Sequence, residues 1–444
     1  MKTIFDAVDK HRKLILEAER YIWKNPETGY KEFKTSKYME DRFLELGYDI
    51  VKADGTTGFY ADIDTGKEGP SLLILGELDS VICPAHPESD PTTGAVHACG
   101  HNAQCAALLG IAAALKEPHM LDGLSGKIRL CAVPAEEFIE IEYRKRLIKE
   151  GKIKYCGGKS EFLSRGYFDG IDLAFMVHMS GAYSVSRGSV GFVGKSVIYK
   201  GQASHAGGSP WAGKNALYAA NCGLNAVNAI RETFKESDLI RFHPIITGGG
   251  DIVNAIPETA TIESYTRGAT FGAILNENKK INRALIGAAL SVGTNIEIID
   301  TPGYAPLLNA TGMIETAIDA AKLVMPDYEM PFDDRIGTGS TDMGDLSSIM
   351  PVVHPYAGGA RGKGHGNDYE IFDPEAACVT NAKWQLTMMK LLLENGAERA
   401  NKIVAEYKAP FASKEEFLSY LDSLNSDGDR IIYNEDGTAS VNIN

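Results

Sequence analysis

The chain has 444 residues, 44% hydrophobic and 23% charged, an ordinary globular composition that excludes a disordered or fibrous protein. Lysine and arginine number 45 against 59 acidic residues, a formal charge of −14, so unspecific attraction to nucleic acid or anionic membrane is disfavoured and small molecules are the expected partners. The first twenty residues mix charges through their apolar positions and lack the apolar stretch of a signal peptide or membrane span, which points to a cytoplasmic protein. Seven cysteines scattered from Cys83 to Cys378 do not resemble a disulfide framework; free thiols, one of them a ligand, are expected.

In chain order, residues 1–48 carry helical periodicity, with Leu14, Ile15, Ala18, Tyr21 and Ile22 on one face and a further helix from Thr35 to Leu46. Short aliphatic runs at Ser71–Leu75, Lys127–Val133, Leu173–Val177 and Pro351–Val353 predict strands, with a helix at Ala103–Leu115 among them. Strands alternating with helices predict an α/β sheet. The stretch 190–300 reads differently: strand Gly191–Tyr199, helix Asn215–Phe234, strands Ile240–Thr247 and Thr259–Arg267, helix Lys279–Val292, strand Asn295–Ile299. That β-α-β-β-α-β order is ferredoxin-like and fits one small α+β domain inserted into the larger one. The helical pattern resumes at Thr311–Val324, and the tail holds a helix at Lys414–Leu424 and a turn at Asn434–Gly437. The expected domains are therefore 1–188 and 301–407 for the larger one, 189–300 for the insertion, and 408–444 as a surface appendage.

In open α/β sheets ligands gather at the carboxyl ends of strands. Here those ends lead to Asp79, to Glu136 and Glu137, to His178, and towards His365, and His97-Ala98-Cys99-Gly100-His101-Asn102 precedes the alanine-rich helix. A thiol, imidazoles and carboxylates converging on one rim supply the soft, borderline and hard donors of a transition-metal site. Taken singly, each piece has a plain explanation: Cys99 as a buried thiol, the glutamates as a solvated pair, His365 as loop decoration. Neighbouring residues of an extended segment point in opposite directions, so one glutamate can bind metal while the other faces water or substrate.

The motifs resemble the M20 amidohydrolase and metallopeptidase family, in the branch of auxin-conjugate hydrolases and aminobenzoyl-glutamate-hydrolase-like proteins. They stand as Asn25-Pro26-Glu27-Thr28-Gly29-Tyr30, Gly76-Glu77-Leu78-Asp79, His97 to Asn102, Pro134-Ala135-Glu136-Glu137, Lys200-Gly201-Gln202-Ala203-Ser204-His205-Ala206, Asn254-Ala255-Ile256-Pro257 and Gly339-Ser340-Thr341-Asp342-Met343-Gly344-Asp345. The resemblance implies an α/β catalytic domain with an inserted lid and dimerisation domain. It implies two divalent metal ions, zinc or manganese, held by Cys99, His101, Glu137, His178 and His365, and hydrolysis of an amide by a metal-bound hydroxide with Glu136 as general base. Asp79 is expected to orient a ligand histidine such as His101. His205 would stabilise the oxyanion, reaching the site of the other subunit of a homodimer, and Asn254 and Arg267 would contact substrate, Arg267 through a carboxylate. The backbone amides of Gly358 and Gly359 are further substrate-binding candidates.

Asn102 and Gln104 depart from the auxin branch, where aspartate and histidine follow the cysteine motif. The charged stretch 138–156 is longer than the glycine-rich link of that branch; it reads either as a solvated surface helix or as one wall of the substrate pocket. Two rival functions remain. Cys99 as a nucleophile with His97 or His101 as base leaves Glu136, Glu137, His178 and His365 without a task. A degenerate, non-catalytic binding protein has no need to keep Glu136. Gly248-Gly249-Gly250 lacks the Gly-Lys-Ser/Thr continuation of a phosphate loop.

Overall fold

The computed structural model describes residues 1–443. It divides into two compact units: Met1–Gly188, Leu307–Gly337 and Thr341–Lys414 form the first, and Ser189–Pro306, Thr338–Ser340 and the chain from Glu415 form the second. In chain order the strands of the two main sheets are β1 (Val51–Lys52), β2 (Phe59–Asp64), β3 (Ser71–Glu77), β4 (Lys127–Val133), β5 (Leu173–Phe175), β6 (Gly191–Lys200), β7 (Arg241–Phe242), β8 (Ile245–Gly248), β9 (Thr259–Gly268), β10 (Asn295–Pro302) and β11 (Val352–Val353). The helices that matter are α1 (Arg12–Trp23), α2 (His101–Leu115), α3 (Ile141–Lys149), α4 (Ala216–Ile230), α5 (Phe271–Val292) and α6 (Lys414–Leu424).

The first unit is α/β, with a six-stranded mixed sheet ordered β1-β2-β4-β3-β5-β11. β4, β3, β5 and β11 run parallel, so their carboxyl ends share one edge and deliver Asp79, Glu136, Glu137 and His178 to it. Every residue of α2 is buried, which is why its sequence is apolar all round rather than striped. Gly110 lets α1 lie close against it, since a Cβ there would come within 2.6 Å of Ile15.

The second unit is a ferredoxin-like α+β layer with the antiparallel order β7-β9-β6-β10, covered by α4 and α5. The strand expected over Ile240–Thr247 is two strands, β7 and β8, both paired with β9. Pro244 lies between them and has no N–H to continue the ladder. Helix α5 begins at Phe271, eight residues before the expected start, with the Thr270 side chain accepting from Ala273 N–H at 3.1 Å. The polar run Asn276–Lys280 hides this part of the helix, because Glu277 and Asn278 are buried despite their polarity.

The tail corrects the appendage expected at 408–444. From Glu415 it is built into the second unit, where Ser426 and Asp300 exchange backbone hydrogen bonds and Arg430 N–H donates to Ile296 carbonyl at 2.8 Å. It thereby covers the β10 edge of the sheet. None of the seven cysteines is paired, and no described helix is long and apolar enough to cross a membrane.

Candidate metal centre

The turn into α2 is made by Gly100, at φ 86°, where a Cβ would lie 2.5 Å from the Tyr369 hydroxyl and 2.6 Å from Met179. This glycine places Cys99 and His101 on the same rim. His101 Nδ1 lies 2.9 Å from the Asp79 carbonyl and 3.3 Å from Asp79 Oδ1, so Nδ1 carries a proton and Nε2 is the nitrogen that a bound ion would take. The other oxygen of Asp79 accepts from Glu137 N–H at 2.9 Å. One residue thus orients both a histidine and a glutamate of the rim, the first through its carbonyl and the second through its carboxylate.

His178 donates Nδ1–H to the Met179 carbonyl at 2.9 Å, which turns Nε2 towards Cys99 Sγ at 3.2 Å. His365, at φ 61° with its N–H on the Ala98 carbonyl, brings Nε2 to 3.1 Å from Glu137 Oε1. Cys99, His101 and His178 offer donor atoms within 4.8 Å of one another, and so do Cys99, Glu137 and His365, with Cys99 common to both sets. Glu137 Oε1 and His101 Nε2 are buried and make no hydrogen bond of proper geometry. Two trios of mixed S, N and O donors sharing a thiol, with buried lone pairs left over, fit a pair of divalent ions.

The adjacent glutamates are driven apart in proton affinity. Burial, together with the charges of Glu77, Glu137 and Asp342, raises the Glu136 carboxyl well above its usual range. Burial alone would do the same to Glu137, but His365, its Nε2 3.1 Å from Oε1, outweighs it and holds that carboxyl at about 2. One is built to take a proton and the other to stay anionic. Burial and the charge of Glu137 push the Cys99 thiol upward, the opposite of what an activated nucleophile requires.

A second layer was not singled out from the sequence. Lys159, fully buried, bonds Glu77 Oε1 at 2.5 Å and also Asp342; Glu77 Oε2 accepts from Gln104 Nε2 at 2.9 Å and lies 3.1 Å from His101 Nε2. Glu77 and Asp342 stand in recognised motifs, and the departure at Gln104 was visible, but only the fold joins them to the lysine. Asn102, the other departure, donates to Glu19 at 2.8 Å.

His205, Asn254 and Arg267 lie in the second unit. His205 forms an isolated bridge with Ala255, and Asn254 carbonyl accepts from Ala206 N–H at 2.9 Å, so these two residues are neighbours. His205 is exposed, and its Nδ1 accepts from the N–H groups of Gly207 at 3.1 Å and Gly208 at 2.8 Å, which leaves the proton on Nε2. Arg267, on β9, donates to Ser340 Oγ at 2.7 Å and sits over the rings of Phe192 and Tyr265. The glycines at 358 and 359 have a packing explanation: a Cβ would meet Tyr183 at 3.0 Å and the Asp373 carbonyl at 2.5 Å, respectively.

Residues 58–390 match the peptidase family M20/M25/M40. The chain belongs to this family. Among curated relatives of this M20 protein, the Xaa-Arg dipeptidase of Mus musculus is 28% identical over 79% of this chain and 78% of its own length. The N-acetyl-L-cysteine deacetylase of Bacillus subtilis is 29% identical over 71% of this chain and 74% of its own. Among solved structures, the Bacillus subtilis YXEP protein, described as a dinuclear metal binding peptidase from the M20 family, aligns with a TM-score of 0.65 at 19% identity, covering 87% of this chain and 99% of that one. This M20 protein is a hydrolase of peptide or amide bonds.

Proposed function

We propose that this hydrolase cleaves the amide of an N-acyl amino acid, an aminobenzoyl-glutamate-like conjugate or a dipeptide, using two divalent ions, zinc or manganese, held by Cys99, His101, Glu137, His178 and His365. The observation that carries the reading is geometric: two donor trios share Cys99, and Glu136, the neighbour of the donor Glu137, lies 3.9 Å from His101 Nε2. Relatives named as a dipeptidase and as an N-acetyl-L-cysteine deacetylase support an amide on the nitrogen of an amino acid. When bound, the ions would acidify a water and polarise the scissile carbonyl. Glu136 accepts the proton of the attacking water and delivers it to the departing nitrogen as the C–N bond breaks, releasing an acid and an amine. Asp79 keeps His101 and Glu137 in register throughout. His205, with Nδ1 engaged by two backbone N–H groups, has Nε2–H to offer the carbonyl oxygen as charge develops there. Arg267 and Asn254 are read as substrate contacts, Arg267 for a carboxylate.

The test is metal content of protein purified without added metal, with hydrolysis of acylated amino acids and dipeptides followed with and without chelator. About two equivalents of metal, with activity lost in chelator, support the reading. Glu136→Gln should keep both ions and lose roughly 10²–10⁴-fold in kcat. Protein that stays metal-free after incubation with zinc and manganese yet cleaves amides in chelator would return the chemistry to Cys99.

We also propose a homodimer formed through the second unit. Strand β8 is exposed along its length and pairs on one side only, with β9, which leaves an edge able to meet its own copy. Ile246→Lys, on that edge, should halve the mass measured by light scattering. The unpaired cysteines support a reducing, cytoplasmic compartment.

A further inference from the structure

The stretch 138–156 follows the two glutamates directly, and its helix α3 turns one face inward, burying Arg144 and Leu147. Arg144 is fully buried; Nη2 donates to the backbone carbonyl of Glu137, and Nη1 donates to the Cys156 carbonyl at 2.7 Å. The Asn25–Tyr30 motif wraps the same helix. Thr28 and Lys31 each bond Glu140 at 2.5 Å, the Tyr30 hydroxyl donates to the Tyr155 carbonyl at 2.9 Å, and Gly29 leaves room for the guanidinium, since a Cβ there would lie 2.4 Å from Nη2.

The backbone that carries the glutamates is strained on both sides. Ala135 has φ 56° and Glu140 has φ 51°, left-handed values that cost a non-glycine residue about 1 kcal/mol or more. Such a conformation persists only where its surroundings over-determine it. Four contacts do so here: Ala135 N–H on Glu32 Oε1 at 2.8 Å, Gly158 N–H on the Ala135 carbonyl at 3.1 Å, Glu137 N–H on Asp79 Oδ2 at 2.9 Å, and Arg144 on the Glu137 carbonyl. Two of these hold the amino-terminal side of the pair, and Asp79 holds the peptide between the two glutamates. Arg144 adds a charged donor on the carboxyl-terminal side, its other prong anchored on the Cys156 carbonyl, beside the short-range Ile139 N–H bond to the Glu137 carbonyl at 2.9 Å.

We propose that Arg144 is a positioning residue for the reaction: α3 is a clamp that locks the peptide after Glu137, and through it the aim of the Glu136 and Glu137 carboxylates. This rests on the metal reading of the site, and it gives the stretch 138–156 a task other than a surface helix or a pocket wall. Lysine keeps the charge at 144 but lacks the planar fork that spans two carbonyls.

The experiment compares wild type with Arg144→Lys, and with Gly29→Ala, which keeps the arginine but crowds Nη2 and Ala135. Three quantities are read: deuterium uptake by the backbone of residues 135–140, zinc affinity by competition with a chelating dye, and kcat with KM. The clamp predicts faster uptake in that segment, zinc binding at one site weakened roughly 10-fold, and kcat reduced roughly 10-fold or more with KM within about twofold. Gly29→Ala should show the same signature more weakly. If Arg144→Lys does not fold, Gly29→Ala decides alone. Wild-type uptake in a folded variant overturns the clamp, whether or not zinc binds. Wild-type protein with affinity for neither zinc nor manganese overturns the metal reading instead, and faster uptake in the variant then still upholds the clamp. A lower melting temperature with unchanged uptake, zinc affinity and kcat makes Arg144 merely structural, which also overturns the proposal.

Discussion

The rim of the first unit and the His205 loop of the second hold their functional groups by opposite means. On the rim, most groups are fixed by residues distant in sequence: His101 by the Asp79 carbonyl, the Glu77 side chain by Lys159 and Gln104, and the Glu137 backbone N–H by Asp79, with His178, turned by the carbonyl of its neighbour Met179, the exception. In the loop, an exposed His205 is fixed by the N–H groups of Gly207 and Gly208, two and three residues on. The rim is a charge-compensated interior, where stability and chemistry share the same atoms. The loop is a local device that carries little of the fold.

The largest test of that contrast is Lys159→Met. It strips the cation from two fully buried carboxylates, Glu77 and Asp342, and breaking such a set should cost about 3–5 kcal/mol in chemical denaturation. Adding Glu77→Gln and Asp342→Asn removes the stranded charges and should recover part of that loss. A single variant as stable as wild type would show that the rim is not charge-compensated in the way described. Next in size is His205→Ala, expected to lower kcat roughly 10²-fold, the loss typical of one oxyanion donor, with denaturation midpoint and metal content unchanged. A parallel fall in stability would break the contrast from the other side.

What could be read from sequence follows the same division. Strands β3 and β4 and helix α2 announce themselves through apolar runs, and parallel pairing then carries the residues after them to one edge. Cys99, His101, Glu136, Glu137, His178 and His365 could therefore be nominated before their distances were known. Lys159 could not, because in sequence it is a lysine after two glycines and nothing local says that it is buried between Glu77 and Asp342. Arg144 was hidden for a related reason: the charged run around it reads as a solvated helix, and only the fold turns that one cation inward. The early start of α5 escaped because Glu277 and Asn278 are buried polar residues that break the apolar period.

The smallest effect concerns two further histidines, buried beside the rim. His354 and His97 are fully buried, and neither ring nitrogen of either has a hydrogen-bond partner. Burial, with the neighbouring His178, lowers His354 to about 3; burial, with His101, lowers His97 to about 3. Each is neutral in the folded chain but protonated below about 6.5 once unfolded. The stability they permit is therefore complete above about pH 6.5 and is lost as pH falls towards 3. His354→Phe keeps an aromatic ring beside His178 and Tyr356 and removes one of the two protonations. Denaturation of chelator-treated protein should show the variant gaining on wild type as pH drops from 7 to 5, by on the order of 2 kcal/mol at the lower value. The remaining acid slope belongs in part to His97, so the variant should flatten the curve without levelling it. Parallel curves for variant and wild type would mean that His354 already carries its proton in the folded rim, which would remove one neutral member from a set argued to balance its charges.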